Sequence, residues 1–183
     1  MIPSEGEALA LHRKYGSSDM LVRHCTTVAA VARIIADGLK KAGRDFDERA
    51  VMAGALLHDI GRNRTQTIGH GVEGANLLQA EGVDEKVVQI VRKHVGAGLS
   101  PSEAKRLGLP DLDYIPRTIE ERAVCFADKM VGSDRVRPFG EEVERFVRKG
   151  HDVGKLLALK NGLEEDLGED PERLVLDIIR TDK

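Results

Sequence analysis

The sequence predicts an all-α domain, a compact bundle of about seven to nine helices. Three observations predict it. Apolar residues recur at offsets of three and four through most of the chain, capping residues stand in front of those runs, and no stretch alternates apolar and polar residues over the length of a strand. The 183 residues are enough to fill one hydrophobic core. Trp is absent and aromatic residues make up only 3% of the chain, so that core must be built from Ala, Val, Leu and Ile.

The first segment, Glu5 to Tyr15, has helical composition and ends at Gly16; His12 stands beside Arg13 and Lys14 and reads as a solvated residue. Ser17-Ser18-Asp19 offers the N-cap of a second helix, on which His24, Val28, Val31, Ile35 and Leu39 share one face, so His24 points with the apolar stripe towards the core. After the polar break Lys40 to Asp45, Asp47 caps a helix that runs from Glu48 into His58 and Asp59. Gly61 reads as the left-handed turn that ends it. Arg62 to Gly69 is polar and rich in turn formers, hence a loop at the mouth of whatever His58 and Asp59 build.

His70 opens the next helix, Gly71 to Glu81, and shares a face with Gly74 and Leu77. Asp84 caps the helix after it, where Val87, Ile90, Val91 and His94 again end an apolar stripe on a histidine. Ser100 with Glu103 and Thr118 with Glu121 are capping boxes separated by an irregular stretch, Gly108 to Pro116. In the helix from Ile119 to about Gly132, Val124 and Cys125 precede Asp128 by four and three positions, which turns this carboxylate inward. An inward Asp without a partner is costly, so it calls for a cation. A charged helix, Glu141 to Lys149, leads to Gly150-His151-Asp152-Val153-Gly154. This second His-Asp-x-Gly follows a solvated helix end and reads as a look-alike without metal. Asp170 and Pro171 start the last helix.

Composition narrows the function classes. A net charge of −3 with balanced Lys/Arg and Asp/Glu argues against a general nucleic-acid footprint. No apolar run is long enough to span a membrane, and the N-terminus lacks the basic start and apolar middle of a signal peptide. The expectation is a cytoplasmic protein without a membrane partner, a homodimer being compatible with the sequence. Cys25 and Cys125 show neither zinc-ribbon spacing nor a disulfide framework and read as small buried hydrophobes.

The chemistry lies in polar ligands placed on apolar faces: His24, His58 with Asp59, His70, His94 and Asp128. Adjacent helical residues diverge by about a quarter turn, so His58 can hold one ion while the Asp59 carboxylate reaches a second. Four imidazoles and two carboxylates supply what two adjacent divalent ions need if one carboxylate bridges. Nitrogen and oxygen ligands without thiolate suit iron, manganese, cobalt or nickel, with zinc or magnesium possible.

The order His24, then His58-Asp59-Ile60-Gly61, then Asp128 in Phe-Ala-Asp-Lys resembles the HD-domain superfamily of metal-dependent phosphohydrolases, over roughly Leu21 to Val131. Residues 132–183 form a C-terminal helical extension of a single domain spanning 1–183. His70 in His-Gly-Val-Glu-Gly-Ala and His94 in Val-Arg-Lys-His resemble the extra ligands of the two-metal branch, and the spacing is most similar to small diadenosine-tetraphosphate hydrolases. The resemblance implies His24, His58, Asp59 and Asp128 on one ion, with Asp59 bridging to a second held by His70 and His94.

It further implies hydrolysis of a small-molecule phosphate by a metal-bridging hydroxide, the substrate being a nucleotide, a dinucleoside polyphosphate or another phosphate ester or anhydride. Asp59 is then the central catalytic residue. Arg62 and Lys129, beside the two motifs, are candidates for assisting the reaction and binding phosphate. Arg135 is a further substrate-binding candidate, and Arg64 and Arg137 are of the same kind. Lys-Met-Val-Gly-Ser after Asp128 departs from those hydrolases, and no Gly-Tyr-Pro follows His-Asp-Ile-Gly, which speaks against a cyclic-dinucleotide phosphodiesterase. Two other classes share the ligand order: a mixed-valence di-iron oxygenase on the same fold, and a non-catalytic nucleotide-binding signalling module.

Overall fold

The computed structural model of the protein describes residues 1–181. Among them are ten α-helices and one 3-10 turn, joined without a named strand. The helices are α1 (Glu5–Lys14), α2 (Asp19–Lys41), α3 (Glu48–Leu57), α4 (His70–Ala80), α5 (Glu85–Lys93), α6 (Pro101–Arg106), α7 (Ile119–Lys129), α8 (Phe139–Arg148), α9 (Val153–Leu167) and α10 (Pro171–Thr181); the 3-10 turn is Ile60–Asn63, between α3 and α4. No described helix is long and apolar enough to cross a membrane.

Capping residues set the starts. The side chains of Ser18, Asp47 and Asp84 accept backbone N–H groups at the first turns of α2, α3 and α5, each such cap contributing about 1 kcal/mol. Ser100–Glu103 and Thr118–Glu121 form complete capping boxes on α6 and α7, and Ser4–Glu7 adds a third on α1. Asp170 accepts from the backbone of Glu172 and Arg173 to start α10.

The long helix α2 packs along α3 and α7, while α4 and α5 pair and α5 leans on α3 and α7. Small residues permit this close packing: Ala29, Ala32, Ala36, Ala50, Ala53, Ala55, Ala123 and Ala127 are all buried. The same apolar cluster continues through Phe139, Phe146, Leu156, Leu159, Leu163, Leu167 and Val175, so the segment after residue 131 covers the core rather than trailing from it. Phe126 and Phe139 stack at 4.9 Å between centroids, joining α7 to the start of α8. Cys25 and Cys125 are buried free thiols, as expected.

Two local expectations fail. His12 is not solvated: it is 1% exposed, with Nε2 at 2.7 Å from the Leu56 carbonyl and Nδ1 at 2.7 Å from the Ser17 hydroxyl. It lies four residues after buried Ala8, on the inward face of α1, and that position outweighs its charged neighbours Arg13 and Lys14. Gly61 is also not left-handed. The chain passes from α3 through His58 and Asp59 into the 3-10 turn, and Gly61 is absent from the positive-φ residues. Its lack of a side chain serves close approach instead, because a Cβ there would stand 2.0 Å from the His70 carbonyl oxygen and 2.4 Å from the Gly74 nitrogen.

Candidate metal centre

Four helices and the α3 exit deliver six polar side chains to one point. α2 supplies His24, the residues just after α3 supply His58 and Asp59, α4 begins with His70, α5 is followed by His94, and α7 carries Asp128. His58, Asp59, His70 and His94 are buried. All six sequence-predicted ligands therefore meet.

The hydrogen bonds behind the imidazoles fix their tautomers. Nδ1–H of His58 donates to the Ala55 carbonyl at 2.8 Å, that of His70 to Thr67 at 2.8 Å, and that of His94 to Val91 at 2.7 Å. His24 Nδ1–H donates to the carbonyls of Gly132 and Ser133 at 2.9 and 3.1 Å. Each ring thus turns the lone pair of Nε2 to the centre, as the outer partners of metal-bound histidines do.

The lone pairs fall into two groups. Nε2 of His24 and His58 are 3.2 Å apart, and Asp128 Oδ1 lies 3.2 and 3.5 Å from them, with Asp59 Oδ2 at 3.8 Å from both. Nε2 of His70 and His94 are 3.1 Å apart, and Asp59 Oδ1 lies 3.1 and 3.3 Å from them. Asp59 Oδ1 is buried and has no hydrogen-bond donor. Lone pairs held this close repel one another unless a cation sits among them, and a buried oxygen without a donor costs roughly 1–3 kcal/mol. The donor set fits divalent metal, with Asp59 shared between the two groups.

Electrostatics hold the carboxylates ready. Burial alone would raise the Asp59 and Asp128 pKa values, but the imidazoles of His58, His70 and His94 around Asp59 and the Lys129 ammonium beside Asp128 hold both well below the usual carboxylate range. Burial, reinforced by His58 and His70, pushes His94 down to about 4 against the pull of Asp59, so its imidazole is neutral near pH 7.

The cluster opens into a cavity of about 780 Å³. Of the cationic candidates, Arg62 lines it and donates from Nε to Asp59 Oδ2 at 2.6 Å. Lys129 lines it too, but its ammonium is buried and spent on Asp128 Oδ2 at 2.5 Å and the His94 carbonyl at 3.2 Å. Arg135 is exposed in the loop after Val131 and is not part of the lining, nor is Arg64; Arg137, two residues on, is.

Three features were not anticipated. Glu142 is fully buried between Arg137 and Arg145 at the cavity wall, its place marked by the α8 stripe Phe139, Glu142, Phe146. His151, exposed and outside both of these groups, also lines the cavity, edge-on to Phe146. Asn63 donates to the Ser17 hydroxyl, tying the 3-10 turn to α1 through His12, a link between distant residues that no local spacing signals.

Comparison with known proteins places these residues in context. A family model described as HD domain matches residues 21–131, more than half of the chain. A protein of Thermoplasma volcanium named tRNA (cytidine(56)-2'-O)-methyltransferase is 42% identical over 176 residues, covering 95% of this chain and 51% of its own. An uncharacterized protein of Methanocaldococcus jannaschii is 41% identical over 148 residues, 79% of this chain and 87% of its own. Ribonuclease Y of a Sulfurovum species is 26% identical over 158 residues, 85% of this chain and 26% of its own. The chain spans about half the length of the curated methyltransferases it matches. No solved structure matches it.

Proposed function

The chain belongs to the HD-domain superfamily of metal-dependent phosphohydrolases, and on that premise we propose that it hydrolyses a phosphate ester or anhydride of a nucleotide or of RNA at the His/Asp cluster, with two divalent ions bound. The observation that carries this is Asp59, whose two oxygens each face a different pair of imidazole lone pairs. One metal would be held by His24, His58, Asp59 and Asp128, the other by Asp59, His70 and His94. Bound there, the pair supplies a water of lowered pKa and positive charge for the phosphoryl oxygens.

The chain's own residues do the rest. The carbonyl partners of the four Nδ1 atoms hold the rings against rotation, which lowers the reorganisation needed when substrate arrives. Lys129 keeps Asp128 ionised while remaining buried, so it positions a ligand rather than touching substrate. Arg62 is 35% exposed at its side chain and uses only Nε on Asp59, leaving its other N–H groups to bind a phosphoryl oxygen.

RNA enters because the methyltransferase relatives are named for acting on tRNA and a third relative is named a ribonuclease. The test is metal analysis of the purified protein, followed by nucleotides, dinucleoside polyphosphates and short RNAs assayed with manganese, iron, cobalt, nickel, zinc and magnesium in turn. Release of phosphate or a nucleoside product from some of them, abolished by Asp59→Ala, is expected. Silence of metal-loaded protein across the panel overturns the proposal.

A further inference from the structure

We propose that Arg137 and Arg145, both docked on the buried carboxylate of Glu142, form a second phosphate subsite in the wall of the metal cavity, so that the substrate carries a non-reacting phosphate besides the one hydrolysed. This rests on the phosphohydrolase reading and adds the number of phosphates the substrate must bear.

The charge count points there first. Among the described residues lining the cavity, Arg62 is paired with Asp59 and Lys129 with Asp128. Glu142 can neutralise one guanidinium, and two are bound to it. Its Oε2 accepts from Arg137 Nη2 at 2.6 Å and from Arg145 Nε at 2.7 Å, and its Oε1 accepts from Arg145 Nη2. One positive charge is left over, beside the metal ligands and within the same cavity.

The unused donors point the same way. Arg137 Nε is buried without a hydrogen-bond partner, and Nη1 of neither arginine makes a hydrogen bond among the described residues. Arg137 Nε is sealed from the cavity, but the two side chains are 25% and 41% exposed, so their Nη1 groups are the donors open to a phosphate oxygen. Guanidinium is the side chain whose planar donors match phosphate in pairs. Arg145 has a further contact: its guanidinium lies 6.0 Å over the Phe146 ring, which His151 in turn meets edge-on at 5.5 Å. Glu142 is thus a positioning residue that aims two arginines.

The test compares the protein loaded with manganese and its Arg137→Ala, Arg145→Ala and Arg145→Lys variants, with circular dichroism and thermal melts establishing that each is folded. Substrates are a nucleoside 5'-monophosphate, the corresponding 5'-diphosphate and the 3',5'-bisphosphate. The ratio of kcat/KM for a two-phosphate substrate to that for the monophosphate is expected to fall tenfold or more in each variant, chiefly through KM. A fall for the 5'-diphosphate assigns the subsite to an anhydride-spaced phosphate, and a fall for the bisphosphate to one spaced as along a nucleic-acid strand. An unchanged ratio in folded variants overturns the subsite. Calorimetric titration of inorganic pyrophosphate into protein held in EDTA reads it without the ions: binding by the wild type, weakened tenfold or more by Arg145→Lys, is expected, and no binding by the wild type overturns it. Should the wild type hydrolyse none of the three substrates, the phosphohydrolase reading falls for them and the pyrophosphate titration alone decides the subsite.

Discussion

Asp59 faces two pairs of imidazole nitrogens with two different oxygens, so one atom changed there acts on both of the proposed metal positions. Asp59→Asn keeps the shape but replaces one oxygen with an NH2 group and removes the negative charge. Metal per chain, read by elemental analysis, is expected to fall from two towards one or none, and hydrolysis by at least about 100-fold, since disturbing even the outer partners of a metal costs 10–100-fold. Helicity should be unchanged, because the replaced atom faces the cluster rather than the core; near-normal metal content would remove Asp59 from the bridging role. At this scale the convergence of the six side chains was legible because polar residues stood in register with apolar stripes, as His24 does with Val28, Val31 and Ile35. The same rule, applied to Ala8 and His12 or to Phe139, Glu142 and Phe146, marks the two buried polar residues that charged neighbours disguise. What no spacing could tell is the role of such a residue. His12 ends on a carbonyl and a hydroxyl, Glu142 on two arginines, and His24 on the ligand cluster, and only the partners brought by other helices separate these cases.

Elements position these residues through backbone contact more than through side-chain reach. The 3-10 turn lies directly against the start of α4, with Gly61 facing the His70 carbonyl and Gly74. Gly61→Ala places a methyl group inside backbone atoms that cannot swing aside, and overpacking of this kind costs about 3 kcal/mol or more. The turn and α4 must part, which draws His70 away from Asp59. Gly61→Ala is therefore expected both to lower the melting temperature and to weaken binding of the second ion more than the first, seen as a biphasic metal titration by calorimetry. Gly38→Ala is the contrast: its Cβ would meet only the δ-carbons of Leu167 and Leu174 at 2.8 Å, side-chain ends that can rotate, so metal binding should stay intact. Equal effects of the two substitutions on metal binding would show that the turn does not set the His70 position. The glycine was visible in the sequence and its purpose was not, since a helix-ending left-handed turn and a close approach of two backbones ask for the same residue.

At the scale of the whole molecule, the six clustered side chains come from α2, the α3 exit, α4, α5 and α7, which pack on one another through the core, and an ion held among them would add a further tie between those segments. The helical periods of the C-terminal elements, such as Leu156, Leu159, Leu163 and Leu167 in α9, can be read locally, but their docking on α7 and α2 depends on partners far along the chain. Hence the outline of the bundle was legible and the cavity wall built by α8 was not. The core itself is apolar and continuous around the site, so metal-free protein should remain folded and helical. It should also be less stable, because ions that bind only the folded state stabilise it by mass action, by about 2.7 kcal/mol for one site at a hundred times its Kd. For a chain of this length about 2–4 °C of melting temperature accompanies each kcal/mol, so EDTA is expected to lower the melting temperature by roughly 5–10 °C for one such site and further for two. Manganese added back in excess should restore it. The shift must come from the cluster and not from general chelator effects, which Asp59→Asn distinguishes: in that variant EDTA should move the melting temperature much less than in the wild type. Identical melting curves for wild-type protein with EDTA and with manganese would mean that the lone pairs of His24, His58, His70 and His94 are satisfied by protons instead, and the paired-ion centre would have to be given up.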